Sequence, residues 1–117
     1  MAGISIRQAA KQSGLTTHTL RYYEQIGLIP SISRAANGHR RYQRADLGWI
    51  DYVRCLKAVG MPLENIKLYV KLQTEHDPAT LPERLELLEN HRDAIRRYID
   101  DLQANLQMIE IKIERYR

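Results

Sequence analysis

Between residue 81 and residue 116, apolar residues recur at alternating steps of four and three. The series runs Leu81, Leu85, Leu88, Arg92, Ile95, Ile99, Leu102, Leu106, Ile109, Ile113 and Tyr116, and ten of its eleven members are apolar. That spacing predicts one uninterrupted helix carrying a heptad seam, the pattern that drives two helices together. Thr80-Leu81-Pro82-Glu83 predicts its start, with Thr80 and Glu83 forming a capping box and Pro82 in the first turn, where a missing N–H does no harm. At about 1.5 Å per residue, a helix from Leu81 to Tyr116 is about 54 Å long. A compact 100-residue domain has a radius of gyration of only about 13 Å. One copy cannot cover such a seam, so a coiled-coil dimer is expected, parallel or antiparallel. Its dimerisation residues are Leu85, Leu88, Ile95, Ile99, Leu102, Leu106, Ile109 and Ile113. The competing reading is a long helix packed on its own domain.

Upstream the period is shorter-lived and broken by glycine. Ile6, Ala9 and Ala10 give a first helix an apolar side of small residues, Ser13-Gly14 stops it, and Thr16 or Thr17 caps the next. Leu20, Tyr23 and Ile26 face inward on that second helix, which ends at Gly27. The spacing of Ala10, Gly14 and Leu20 supplies a close contact, a tight turn and an inward anchor, as a helix-turn-helix requires. Short apolar segments at Gly3–Ile6 and Ile29–Ile32 are expected to add minor strands. Asn37-Gly38 predicts a two-residue hairpin turn, flanked by Arg34 on one side and Arg40 and Arg41 on the other. Asp46–Val59 is helical in pattern, with Leu47, Ile50, Val53 or Arg54, and Leu56 inside. Pro62 opens a further helix to about Gln73.

The resulting architecture is mainly α. A winged helix-turn-helix domain spans 1–74, with its wing at about 31–42. A linker follows at 75–79, and a dimerisation helix at 80–117.

Charge sharpens this division. The chain has 117 residues, 44% apolar and 27% charged, with a net charge of +4. Residues 1–60 carry nine Lys or Arg against Glu24, Asp46 and Asp51, whereas residues 61–117 carry nine basic and eleven acidic side chains. A basic half beside a mildly acidic one points to a polyanion as partner of the first. No apolar run is long enough to cross a bilayer, and the start of the chain shows no basic-then-apolar leader, so a cytoplasmic protein with no membrane partner is expected. A single cysteine, Cys55, excludes an intramolecular disulfide. The histidines at 18, 39, 76 and 91 lack ligand spacing, so neither a metal nor any other cofactor is expected. No Ser-His-Asp set, phosphate-cradling glycine loop or carboxylate pair marks an enzyme.

A helix-turn-helix followed by a basic hairpin suits duplex DNA: the second helix enters the major groove and the hairpin reaches the backbone or minor groove beside it. His18 and Arg21 lie one turn apart, away from Leu20, with Thr17 and Tyr22 close by. An arginine there either bridges guanine O6 and N7 or clamps a phosphate. A coiled-coil adaptor that never touches DNA is the rival reading, separable by the absence of salt-steep DNA binding.

Three segments carry a family resemblance. Arg21-Tyr22-Tyr23-Glu24-Gln25-Ile26-Gly27-Leu28-Ile29-Pro30 resembles the end of the recognition helix in MerR-family transcription regulators. Asn37-Gly38-His39-Arg40-Arg41-Tyr42 resembles that family's wing, and Val59-Gly60-Met61-Pro62-Leu63-Glu64-Asn65-Ile66-Lys67 its joint between third and fourth helices. The resemblance spans essentially the whole chain. It implies a homodimer with an antiparallel coiled coil, each subunit presenting a winged helix to half of a pseudo-palindromic promoter site. Such regulators bend and untwist the promoter so that its elements realign for RNA polymerase. The DNA-binding positions it implies are Thr17, His18, Arg21 and Tyr22 on the recognition helix, Tyr23 at the backbone, Arg40, Arg41 and Tyr42 in the wing, and Lys67 at a phosphate.

The departures from the family also carry weight. The cysteine-bearing loop of metal-sensing members and the effector domain of drug-sensing members have no counterpart, which disfavours metal sensing. Tyr52-Val53-Arg54-Cys55-Leu56-Lys57-Ala58-Val59-Gly60-Met61 resembles the AdhR and NmlR branch, which implies a sensor thiol at Cys55 answering a small aldehyde or other electrophile. A thiolate is the nucleophile; Arg54 and Lys57 are sequence neighbours of Cys55, but side chains one and two apart on a helix point elsewhere. The alternatives are a Cys55 buried as an inert small hydrophobe and a DNA-binding or architectural protein that needs no ligand.

Overall fold

The computed structural model describes residues 3–117; Met1 and Ala2, the start of the stretch read for a leader, lie outside the described residues. Helix α1 covers Ile6–Ser13 and α2 covers Thr17–Gln25. Ser5 caps α1 in a reciprocal box with Gln8, and Thr16 caps α2 by accepting from Thr19 N at 3.0 Å. Gly14 turns the corner between them at φ 75°, a left-handed conformation that a Cβ would strain, and its N–H donates to the Ala10 carbonyl. Ala9 and Ala10 are buried where the two helices meet, and Leu20 and Tyr23 are buried beneath α2. The helix-turn-helix forms as its spacing predicts.

The two minor strands do not form. Gly3–Ile6 yields one antiparallel bridge, Ile4 to Tyr42, because Ser5 already caps α1 and turns the chain away. Residues 29–32 are irregular; Ile29 and Ile32 are buried for their side chains rather than for a ladder. The wing turn also differs from the two-residue hairpin expected at Asn37-Gly38. Ala35 N donates to the His39 carbonyl at 2.8 Å and Gly38 N to the Ala35 carbonyl at 2.9 Å. That is a three-residue loop closing on a left-handed glycine, with one bridge, Arg34 to Arg40, below it.

Helix α3 covers Arg44–Ala58 and starts two residues before the expected Asp46, since the Asp46 carboxylate accepts from Gln43 N at 2.7 Å. Ile50, Val53 and Leu56 form its inner face, and Arg54 lies outside. Helix α4 runs over Leu63–Glu75. The linker is partly ordered: Glu75 ends α4, and Pro78–Thr80 form a 3-10 turn capped by Asp77, which accepts from Ala79 N at 2.9 Å. This turn displaces the expected Thr80–Glu83 capping box. Thr80 Oγ1 instead donates to the Asp77 carbonyl at 2.8 Å and accepts from Arg84 Nε at 3.1 Å.

Helix α5 covers Leu81–Glu114, 34 residues. Its first half lies on the head formed by α1–α4. There His91 is 3% exposed among the rings of Tyr52 and Tyr69, at centroid distances of 6.2 and 6.4 Å, and Ile95 packs against the hydrophobic core. From Arg96 onward every residue is exposed. The helix therefore projects beyond its own head, giving extents of 64 × 37 × 21 Å and a radius of gyration of 18.3 Å. Among the described residues, no helix is long and apolar enough to cross a membrane.

Candidate nucleic-acid interface

The outer side of α2 offers what a reading helix needs. His18, Arg21 and Tyr22 are exposed, Tyr22 by 48%, and Thr17 is half-buried beside the cap. His18 and Arg21, three residues apart, share one face. Tyr23 points the other way: it is 3% exposed and its ring belongs to the core. Its hydroxyl accepts from Lys57 Nζ at 3.1 Å while the same ammonium lies 5.0 Å from the ring centroid.

The wing is fastened to the head by the arginines expected to point at DNA. Arg40 Nε donates to Glu24 Oε1 at 2.7 Å, with the two side chains only 21% and 16% exposed. Glu24 Oε2 accepts from Ile32 N at 3.1 Å, so one carboxylate binds the end of α2 to the loop and to the wing. Arg41 Nη2 donates to the Gly3 carbonyl at 2.6 Å. A side chain at Gly3 is excluded, because its Cβ would lie 2.9 Å from the Tyr42 carbonyl oxygen. Arg40 and Arg41 are thus fold-forming residues first, and whatever they offer a ligand is what those bonds leave over.

Tyr42 is a correction. It is 1% exposed, and its hydroxyl is buried with no hydrogen-bond partner, which pushes its pKa up through loss of hydration. A ring in that position anchors the wing to the core and presents nothing to DNA.

Between α2, the start of α1 and the wing lies a hollow lined by five arginines, Arg7, Arg21, Arg34, Arg40 and Arg41, together with His39 and no carboxylate residue. Low-dielectric walls concentrate the field of such a cluster toward an approaching polyanion. Arg34 belongs to the basic hairpin expected at the DNA backbone, whereas Arg7 is not among the expected contacts. The charge excess of the first half included both, but only the fold carries Arg7 of α1 to the side of Arg21. Arg34 Nη1 donates to the Gly38 carbonyl at 2.9 Å, which braces the wing tip.

Lys67 stands apart from this hollow, in a groove between α4 and the segment after α2, with its ammonium 4.0 Å from Glu64. Cys55 is exposed, which overturns the buried-hydrophobe alternative. It lines a shallow depression with Tyr23, Asp51, Arg54, Lys57 and Ala58. No residue of α5 lines that depression, and Tyr23 brings α2 to its edge. Among the described residues, no group of three or more His, Cys, Asp or Glu is gathered for a metal ion.

Comparison with known proteins agrees with this geometry. The model of the MerR HTH family regulatory protein matches residues 4–73, and the model described as MerR, DNA binding, matches residues 47–110. The chain is 36% identical over 110 residues to an uncharacterized HTH-type transcriptional regulator of Haemophilus influenzae, covering 94% of this chain and 81% of that one. It is 40% identical over 92 residues to the HTH-type transcriptional regulator AdhR of Bacillus subtilis, covering 79% and 65%. Among solved structures it is similar to HiNmlR, a MerR family regulator lacking the sensor domain and bound to promoter DNA. The TM-score there is 0.87 at 34% identity, with 98% of this chain and 90% of that one covered. A MerR family transcriptional regulator from Listeria monocytogenes matches at TM-score 0.86 and 37% identity, covering 97% and 86%.

Proposed function

This chain belongs to the MerR HTH family and is a DNA-binding transcriptional regulator, and from that premise we propose that it acts as a homodimer on a pseudo-palindromic site in double-stranded promoter DNA. The observation that carries this reading is the arginine-lined hollow beside the exposed face of α2. His18, Arg21 and Tyr22 reach base edges or phosphates in the major groove. Arg7, Arg34 and His39, with what Arg40 and Arg41 leave over, hold the flanking backbone. Tyr23 contributes its hydroxyl and Lys57 the ammonium bonded to it, and Lys67 meets a phosphate further out.

The exposed stripe of the tail supports a second copy. Ile99, Leu102, Leu106, Ile109 and Ile113 are each between 45 and 57% exposed on one stripe of α5, and water is a poor solvent for such a stripe. Leu81, Leu85 and Leu88 continue it along the half of α5 whose other side rests on its own head. Ile95 is shared, since it already packs on its own core. An antiparallel pairing through these residues holds two heads apart at a set distance. Distortion of the DNA between the heads then realigns the promoter for RNA polymerase.

Cys55 is the trigger in this scheme. Its thiol gives its proton to solvent, the thiolate sulfur bonds to the carbonyl carbon of an aldehyde as the C=O double bond opens, and the resulting oxyanion takes a proton back from water to give a hemithioacetal. The adduct lies against Tyr23 and Lys57, so its effect enters through the recognition helix. Fluorescence anisotropy on a promoter duplex across a salt series tests the DNA reading: affinity should fall steeply as salt rises. A flat profile rejects it in favour of the adaptor. A Cys55→Ser protein should lose the reporter response to added aldehyde, and a response that persists removes the thiol from the mechanism.

A further inference from the structure

Two polar side-chain links tie α5 to α3 and α4 among the described residues. Near the start of α5, Arg84 Nη1 donates to Gln73 Oε1 at 3.1 Å. Two turns further on, the Tyr52 hydroxyl and His91 Nδ1 lie 2.8 Å apart. Trp49 and Tyr69 complete the surroundings, their centroids 6.0 and 5.6 Å from that of Tyr52. We propose that the Tyr52–His91 pair is a positioning device that sets the angle between the DNA-reading head and the dimer helix, and with it the separation at which two heads meet the duplex. This rests on the two-headed reading given above.

The pair is a poor choice for stability alone. His91 is 3% exposed, and its Nε2 has no hydrogen-bond partner. Whichever ring nitrogen carries the proton, one buried polar atom is left unsatisfied, and an apolar side chain would fill the same space without that cost. The ring contacts already favour certain orientations, and the hydrogen bond narrows them further, since an O–H···N bond holds only within a narrow range of distance and angle. A buried polar pair that weakens the core but selects one register is an attested arrangement at helix interfaces.

Its location gives that register leverage. Ile95 is the last α5 residue in the core, and the helix then runs free to Glu114, an arm of about 28 Å. A tilt of about 10° at the joint would move the far end by about 5 Å, more than the roughly 3.4 Å rise of one base pair. Small differences at the Tyr52–His91 contact are therefore read out as differences in head spacing.

The experiment uses the full chain and a duplex that the protein itself selects from a random-sequence library. Base pairs are then inserted or deleted, one or two at a time, at the centre of that duplex. The variants are His91→Leu, which removes the unsatisfied atom, and Tyr52→Phe, which leaves both nitrogens of His91 without a partner. His91→Leu should melt at or above the wild-type midpoint, yet its preference for the selected spacing should fall about fivefold. Tyr52→Phe should melt lower and lose the same preference. Spacing preference unchanged in both variants overturns the proposal, as does a His91→Leu protein that melts well below wild type, since the pair would then be ordinary core. If the wild-type protein itself ignores spacing, the two-headed reading fails and takes this inference with it.

Discussion

Ile109 and Ile111 lie two residues apart on α5 and are almost equally exposed, at 55% and 51%. Their phases differ. Counted at about 100° per residue, Ile109 lies about 20° from the seam residue Leu102 and Ile111 about 180° from it. If the tail is covered by a second copy along the seam, only Ile109 is buried by that copy. Removing a fully buried isoleucine side chain costs about 2–5 kcal/mol. Scaled by the half of Ile109 still exposed in one chain, the loss is about 1–3 kcal/mol per copy and about 2–6 kcal/mol for a dimer carrying both changes. Ile109→Ala should therefore weaken dimerisation by about 30-fold to 10⁴-fold, whereas Ile111→Ala should leave it within about threefold. Sedimentation equilibrium over a dilution series reads both constants. Equal effects from the two substitutions would refute the assigned seam. No effect from either would mean that the tail is not a dimer helix at all.

Removing the stranded hydroxyl with Tyr42→Phe should stabilise the protein by about 1 kcal/mol and raise its melting temperature by roughly 4 °C, at unchanged DNA affinity. Weakened binding would return Tyr42 to the DNA surface. Arg34→Ala should lower affinity across all sequences and flatten the salt dependence by about one phosphate contact; an unaltered slope would make the residue a wing brace only. Burial lowers the pKa of His91 from its ordinary 6.5, so below that pH the unfolded chain binds the proton more readily than the folded one. The corresponding stability is present above 6.5 and lost as pH falls toward the folded-state value. Thermal melts at about pH 7.5 and 5.5 should show a larger acid loss in wild type than in His91→Leu, and equal losses would contradict it.

The regular elements were legible because their determinants are local. A capping residue lies within one turn of the groups it satisfies, a glycine stops its own helix, and a heptad repeats along one segment. The helix-turn-helix, the place of the wing and the extent of the tail follow from such signals, though the wing's turn and the tail's cap do not. The site was only partly legible. The exposed side of α2 was readable from Leu20 and Tyr23 facing the other way, and the basic character of the first half from a count of charges. The use to which each wing residue is put was not. Tyr42 looks like its neighbours Arg40 and Arg41 in a string of polar and aromatic residues, yet it is core. Thr80 had the right companion for a capping box and lost it to Asp77, whose carboxylate captured the turn first.

The sequence by itself therefore determined the helices, their order, the apolar stripe along the tail and the sign of the charge on the head. Tertiary structure decided which arginines are engaged within the head, which tyrosines are buried, and where the thiol opens to solvent. The physical reason is separation along the chain. Arg40 meets Glu24 across 16 residues, Arg41 meets Gly3 across 38, and Tyr52 meets His91 across 39. No periodicity encodes those meetings; they exist only after helices with apolar faces have collapsed on one another and brought distant polar groups within reach.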